Sequence, residues 1–295
     1  MKQLIEIRLR FPASEIEAAE FAYASAGQAF AVLDEPELGL SPDLPPGTVE
    51  LAFWPQEDSE EEAILELEER LPRRALSMVR ARAGKVDWVE RWKKYFHWEK
   101  VTPSLAVGPP WEPAPQDVTW RVMISPGEAF GTGNHATTRL CMGMAQEALA
   151  AFAAKGEPAP SVLDVGCGSG VVGIACRLIG AGRVLGTDID ELVLDECARN
   201  CLLNDAPMEV VTDPLDQVPG RFQLVLANIL PNTLKTLASE LDRHTAPGGV
   251  LVLSGVPENA AASFLPSFLA MLSRPATVTQ RVLDTWWAAT LTFDR

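Results

Sequence analysis

The stretch Val162-Leu163-Asp164-Val165-Gly166-Cys167-Gly168-Ser169-Gly170 decides the fold. An apolar run of strand length stops at a glycine turn, and helix-forming residues follow from Val171. A second apolar run ends in Gly186-Thr187-Asp188-Ile189-Asp190. A glycine turn followed at about twenty residues by an acid is the layout of a nucleoside-binding α/β site. Glycines let the backbone approach a flat ligand closely, and the acid can grip a ribose diol. Further apolar strand-like runs alternate with helical patterns at 209–211, 224–227 and 250–254. That alternation predicts a parallel sheet with helices on both faces. A last strand, 287–293, has no helix after it.

Working toward the N-terminus, residues 105–107 and 118–124 read as short strands around a Pro-rich loop. A long Ala- and Met-rich helix then runs to about Lys155-Gly156. Before them, residues 83–100 carry Trp88, Trp92, Tyr95, Phe96 and Trp98, with Trp88, Trp92 and Tyr95 or Phe96 sharing one face of an expected linker helix. Residues 1–82 read strand-helix-strand twice. The strands fall at 4–11, 28–33, 49–53 and 76–81, and Ser14 with Glu17 and Ser59 with Glu62 form capping boxes. That order is ferredoxin-like. The expected domains are therefore a ferredoxin-like recognition module (1–82), a linker helix (83–100) and a cofactor-binding domain (101–295).

Bulk properties exclude several classes. No apolar run reaches membrane-spanning length, and the charged start Met1-Lys2-Gln3-Leu4-Ile5-Glu6 is no signal peptide. The five cysteines lack zinc-site spacing, so reduced thiols in a cytoplasmic protein are expected. A net charge of −15 argues against phosphate-driven nucleic-acid binding and suits a basic partner. Residues 1–82 hold 8 Lys+Arg against 17 Asp+Glu, while the rest hold 17 against 23. The N-terminal part is thus the more acidic per residue.

Gly168-Ser169-Gly170-Val171-Val172-Gly173 also matches the dinucleotide pattern G-x-G-x-x-G, which makes NAD a rival cofactor. Asp164, just before the turn, would repel a pyrophosphate and attract a cationic amino group. Asn228, in Ala227-Asn228-Ile229-Leu230-Pro231, places an amide at the carboxyl edge of the sheet, where ligands bind. S-adenosyl-L-methionine, with no phosphate and a zwitterionic tail, fits this pattern better than NAD.

These motifs resemble a class I S-adenosylmethionine-dependent methyltransferase. More closely, the chain resembles the ribosomal protein L11 methyltransferase family, PrmA, nearly end to end. The resemblance is carried by Trp88-Val89-Glu90-Arg91-Trp92-Lys93, Val107-Gly108-Pro109-Pro110-Trp111, Pro126-Gly127-Glu128-Ala129-Phe130-Gly131-Thr132-Gly133 through Thr137-Thr138, the glycine turn, Asp188-Ile189-Asp190, Asn228-Ile229-Leu230 and Ser254-Gly255-Val256. Asn134 and Ala136 depart from it, where Thr and Pro are usual.

The resemblance implies methyl transfer to the α-amino and lysine ε-amino groups of ribosomal protein L11, by a protein expected to be monomeric and cytoplasmic. It implies that Thr138, Gly166, Asp188 and Asn228 line the cofactor, with Asn228 also orienting the amine. Asp164 and Asp213 are secondary candidates for the cofactor's amino group and adenine edge. His135 is a possible base, and residues 131–133 a possible lid. The alternatives are methylation of another protein or of a small-molecule amine, a glutamine-amide methyltransferase, a nicotinamide dehydrogenase, or a module that keeps the pocket only for stability.

Overall fold

The computed structural model describes residues 5–12, 30–32, 48–53, 77–82, 96–125 and 133–295. The chain divides into two compact units, Met1–Arg91 and Trp92–Arg295. The two capping-box helices and the linker segment 83–95 lie outside the described residues, as do residues 126–132.

In the first unit, β1 (Ile5–Pro12), β2 (Phe30–Val32), β3 (Thr48–Phe53) and β4 (Ser77–Arg82) form one sheet in the order β2-β3-β1-β4. Every pairing is antiparallel. The alternation read in β1 has its expected cause, since Leu9 and Phe11 are buried on one face. They stand opposite Leu51 and Val49 of β3.

The second unit opens with a small sheet of β5 (Glu99–Thr102), β6 (Leu105–Gly108) and β7 (Trp120–Met123). Of the expected linker helix only the end is described, and there it is not helical: residues 96–98 are irregular and Glu99 already pairs with Val107 in β5. Phe96 is buried, and the Trp98 indole donates to Glu112 O at 3.2 Å.

The large sheet has the order β10-β9-β8-β11-β12-β14-β13. Its parallel part comprises β8 (Val162–Val165), β9 (Val184–Thr187), β10 (Glu209–Val211), β11 (Phe222–Asn228) and β12 (Thr245–Pro257). β14 (Trp286–Phe293) runs antiparallel between β12 and β13 (Ala276–Leu283). The sequence pattern had not marked β13, because this outermost strand has little buried surface to impose an alternation.

Two cores sandwich the sheet. One face meets α1 (Ala136–Ala154) and α2 (Val171–Ile179), with Val162, Leu224 and Val252 facing Met144, Leu149 and Ile174. The other face meets α4 (Pro231–Thr236), α5 (Ala238–His244) and α6 (Glu258–Leu269), with Leu163, Val225 and Leu251 beside Leu241 and Phe264. Successive strand residues serve opposite cores, so the central strands read as continuous apolar runs. Helix α3 (Leu192–Leu203) links β9 to β10. No helix among the described residues is long and apolar enough to cross a membrane.

Candidate active site

β8 and β11 pair in parallel, and β8 and β9 do likewise. The three strands therefore end at one edge, bringing Gly166, Asp188 and Asn228 together. This is where the order β10-β9-β8 reverses toward β11-β12, the switch point at which such sheets bind ligands.

Gly166, Gly168 and Gly170 all have left-handed backbones, at φ 71°, 50° and 81°. A side chain on any of them would be strained. At Gly166 a Cβ would also stand 2.4 Å from Ile229 Cγ2. The turn is pinned by its neighbour strand, with Gly166 N and Cys167 N both donating to Thr187 O. Asp188 then reaches back, its Oδ2 accepting from Gly168 N at 2.9 Å and its Oδ1 from Asp190 N at 3.1 Å. A carboxylate has about four acceptor positions, so both oxygens keep capacity for ribose hydroxyls. Next to it, Ile189 is 93% exposed. An isoleucine left in water beside this candidate ribose-binding acid offers a flat apolar surface for a base, and the sequence reading did not single it out.

Thr138 lies in the first turn of α1 and is buried. Its hydroxyl meets Asn228 Nδ2 at 3.4 Å, across 90 residues of sequence. The amide nitrogen is thus turned toward the helix, which makes the oxygen the atom left to accept from a ligand. Ser254, opposite Asn228 in the β11–β12 register, donates from Oγ to Thr137 O at 2.9 Å and fixes the start of α1. Gly255 lets Ile229 sit close, since a Cβ there would stand 2.4 Å from Ile229 O.

The secondary candidates fare differently. Asp164 is buried at 3% exposure, and its Oδ2 accepts from Gly173 N at 2.9 Å. Burial pushes its pKa up to about 7; the Gly173 N–H opposes that and the nearby Asp188 charge adds to it. Its place is inside the protein, under the first turns of α2. His135 is the N-cap of α1, accepting from Thr137 N and lying edge-on to Trp286 at 5.0 Å. Burial lowers its pKa, against a smaller opposing pull from Asp284. Capping and packing account for this histidine. Asp213 is exposed just beyond β10. Of the two family departures, Ala136 begins α1 in a buried position, and Asn134 keeps a buried Oδ1 without a hydrogen-bond partner among the described residues. The lid reading falls on residues 131–132, outside the described residues, and on Gly133, whose backbone is left-handed at φ 94°.

The geometry also bears on the rival cofactor. A dinucleotide's pyrophosphate would need the amides at the start of α2. There the amide of Gly173, the third glycine of the motif, is already committed to the Asp164 carboxyl. The left-handed turn, the Asp188 carboxylate and the apolar Ile189 suit an adenosine without phosphates.

A sheet of this order, with a glycine turn at its switch point and a reversed strand second from the edge, is that of the Rossmann-like class I methyltransferases. Residues 16–280 match the family model described as ribosomal protein L11 methyltransferase (PrmA). The chain belongs to that family. A relative named ribosomal protein L11 methyltransferase from Syntrophotalea carbinolica is 37% identical over 273 residues, covering 85% of this chain and 86% of the relative. One of the same name from Geobacter metallireducens is 35% identical over 269 residues, covering 86% and 87%. Among solved structures, a ribosomal protein L11 methylase from Lactobacillus delbrueckii subsp. bulgaricus is 29% identical. It aligns with a TM-score of 0.57, covering 68% of this chain and all of that one.

Proposed function

We propose that this protein uses S-adenosylmethionine to methylate the α-amino group and lysine ε-amino groups of ribosomal protein L11. The observation that carries the reading is the convergence of Thr138 and Asn228 with the glycine turn and Asp188 at one sheet edge. The names of the relatives supply the acceptor.

S-adenosylmethionine, when bound, supplies an electrophilic methyl group on a sulfonium. The protein's task is to present a neutral amine. A lysine with a pKa near 10.4 is neutral only about once in a few thousand molecules at pH 7. Desolvation lowers that pKa. The Asn228 amide oxygen accepts a hydrogen from the amine and helps leave its lone pair facing outward. Thr138 holds the Asn228 amide in that orientation. Asp188 grips the ribose, Gly166 admits the cofactor to the backbone, and Ile189 covers the base. This is catalysis by positioning, with no covalent intermediate on the enzyme. The −15 net charge suits a basic protein substrate and a cytoplasmic setting.

Mass spectrometry of ribosomal protein L11, before and after incubation with enzyme and S-adenosylmethionine, tests the reading. Stepwise gains of single methyl groups are expected at the N-terminus and at lysines. An unmodified ribosomal protein, with methylation of a small amine instead, would refute the acceptor assignment.

A further inference from the structure

Helix α3 and its C-cap carry two asparagines one turn apart, Asn200 and Asn204, both buried. Residues at this spacing share a helix face. Asn204 serves β7 and its own helix: its Oδ1 accepts from Met123 N at 2.7 Å, and its Nδ2 donates to Met123 O at 2.6 Å and to Asn200 O at 2.7 Å. Asn200 bridges two places. Its Oδ1 accepts from Ser125 N at 3.0 Å, and its Nδ2 donates to Ser169 O at 3.0 Å.

Ser169 is the residue between the left-handed glycines 168 and 170. Its carbonyl shares a peptide plane with Gly170 N, which donates to Cys167 O at 2.9 Å. A bond to Ser169 O therefore fixes the orientation of the whole 169–170 peptide. Asp188 holds the same turn from its other side through Gly168 N. α3 packs tightly here, since a Cβ on Gly170 would stand 2.4 Å from Cys197 Sγ. The glycines give the turn its shape but also its freedom, so its geometry must be set by what grips it. With Asn200 fully buried, no water replaces the bond when it is lost.

We infer that Asn200 is a positioning residue for cofactor binding: it sets the glycine turn's backbone through Ser169, whereas its neighbour Asn204 is purely structural. The inference rests on the S-adenosylmethionine reading above. Both asparagines hold the end of β7, and only Asn200 touches the turn, so the pair supplies its own control.

The test titrates S-adenosylmethionine calorimetrically into the full-length wild type and into Asn200→Ala, Asn200→Asp and Asn204→Ala, with thermal midpoints for each. Asn204→Ala should lower the midpoint and leave the cofactor Kd within about twofold. Asn200→Ala, at a comparable loss of midpoint, should raise the Kd and the KM for S-adenosylmethionine about tenfold, the effect of roughly one buried hydrogen bond. The KM for the protein acceptor should not move. Asn200→Asp keeps the acceptor for Ser125 N but loses the donor to Ser169 O, so its cofactor affinity should fall like that of the alanine variant. Equal Kd values in Asn200→Ala and Asn204→Ala, or wild-type affinity in Asn200→Asp, would overturn the inference alone. A wild type that does not bind S-adenosylmethionine would overturn the cofactor reading, and this inference with it.

Discussion

Asn228 and Asp164 are polar residues on neighbouring strands of one sheet, and their surroundings give them opposite tasks. Asn228 is half-buried at the strand end, with its nitrogen held by Thr138. Truncation to alanine removes the proposed acceptor for the amine while leaving the turn and Asp188 in place. Asn228→Ala should lower kcat by about a hundredfold, the scale of losing a positioning contact in the transition state. Steady-state kinetics with ribosomal protein L11 would show this, and a kcat within a factor of three of wild type would remove Asn228 from the mechanism. Asp164 is a residue of the interior, and its pKa of about 7 is set by burial. The folded protein retains this proton up to about pH 7, whereas the unfolded chain releases it near 3.8. The associated stability is complete below 3.8 and is lost as pH rises through 7. Asparagine in its place still accepts from Gly173 N and carries no charge. Asp164→Asn should therefore raise the thermal midpoint by several degrees at pH 8, with a smaller gain at pH 5, in melting curves. At this scale the sequence was informative where a residue's role is local. Gly166, Asp188 and Asn228 are legible because strand ends and glycine turns fix their positions. Asn200 and Ser254 were not, because their partners lie 31, 75 and 117 residues away and only the fold brings them near.

Elements show the same division between local and tertiary causes. α1 was readable from its Ala- and Met-rich composition, and its end at Lys155-Gly156 follows from a left-handed glycine at φ 68°. β5 and β13 were not readable. The first is hidden in an aromatic segment with helical spacing, and the second lies at the sheet's outer margin with little to bury. The start of β13 is set by a charge pair between a buried acid and a partly exposed arginine. Asp242, near the end of α5 and 4% exposed, pairs with Arg274 at 2.8 Å and accepts from Ser273 N and Oγ. Burial alone would raise its pKa, but the bonds from Ser273 and Arg274 outweigh it and hold the carboxylate below its ordinary range. Arg274 also donates to Thr245 O and lies over the Phe293 ring at 4.1 Å, so one guanidinium joins α5, β12 and β14. Removing the acid leaves that cation without its counter-charge. Arg274 is partly exposed and keeps its carbonyl partners, so Asp242→Ala should destabilise the second unit by about 1–3 kcal/mol, chiefly through the lost charge-assisted hydrogen bonds. Urea unfolding followed by the tryptophans of this unit would measure it, and a loss below about 1 kcal/mol would show that Arg274 finds other partners. The pair's stabilisation is present above the unfolded pKa and disappears as pH falls below 3.8.

Over the whole molecule, the charge distribution concerns encounter with substrate more than fold. The net charge of −15 is spread over both units, with residues 1–82 the more acidic for their length. A field of one sign raises the local concentration of an oppositely charged partner, and salt screens it over about 10 Å at 0.1 M. A cofactor gripped by hydrogen bonds within a sheet-edge turn is far less exposed to that screening. The two substrates should therefore separate in a salt titration. Between about 50 and 300 mM NaCl the KM for ribosomal protein L11 should rise several-fold, while the KM for S-adenosylmethionine changes by less than about twofold. A steady-state rate series at fixed pH is sufficient. Charge reversal of acids within 1–82 at constant salt should mimic the effect if that unit supplies the attraction, and leave the KM unchanged if the field comes from the second unit. A salt-independent KM for the protein acceptor would mean that recognition depends on apolar contacts, and that the negative charge serves solubility alone.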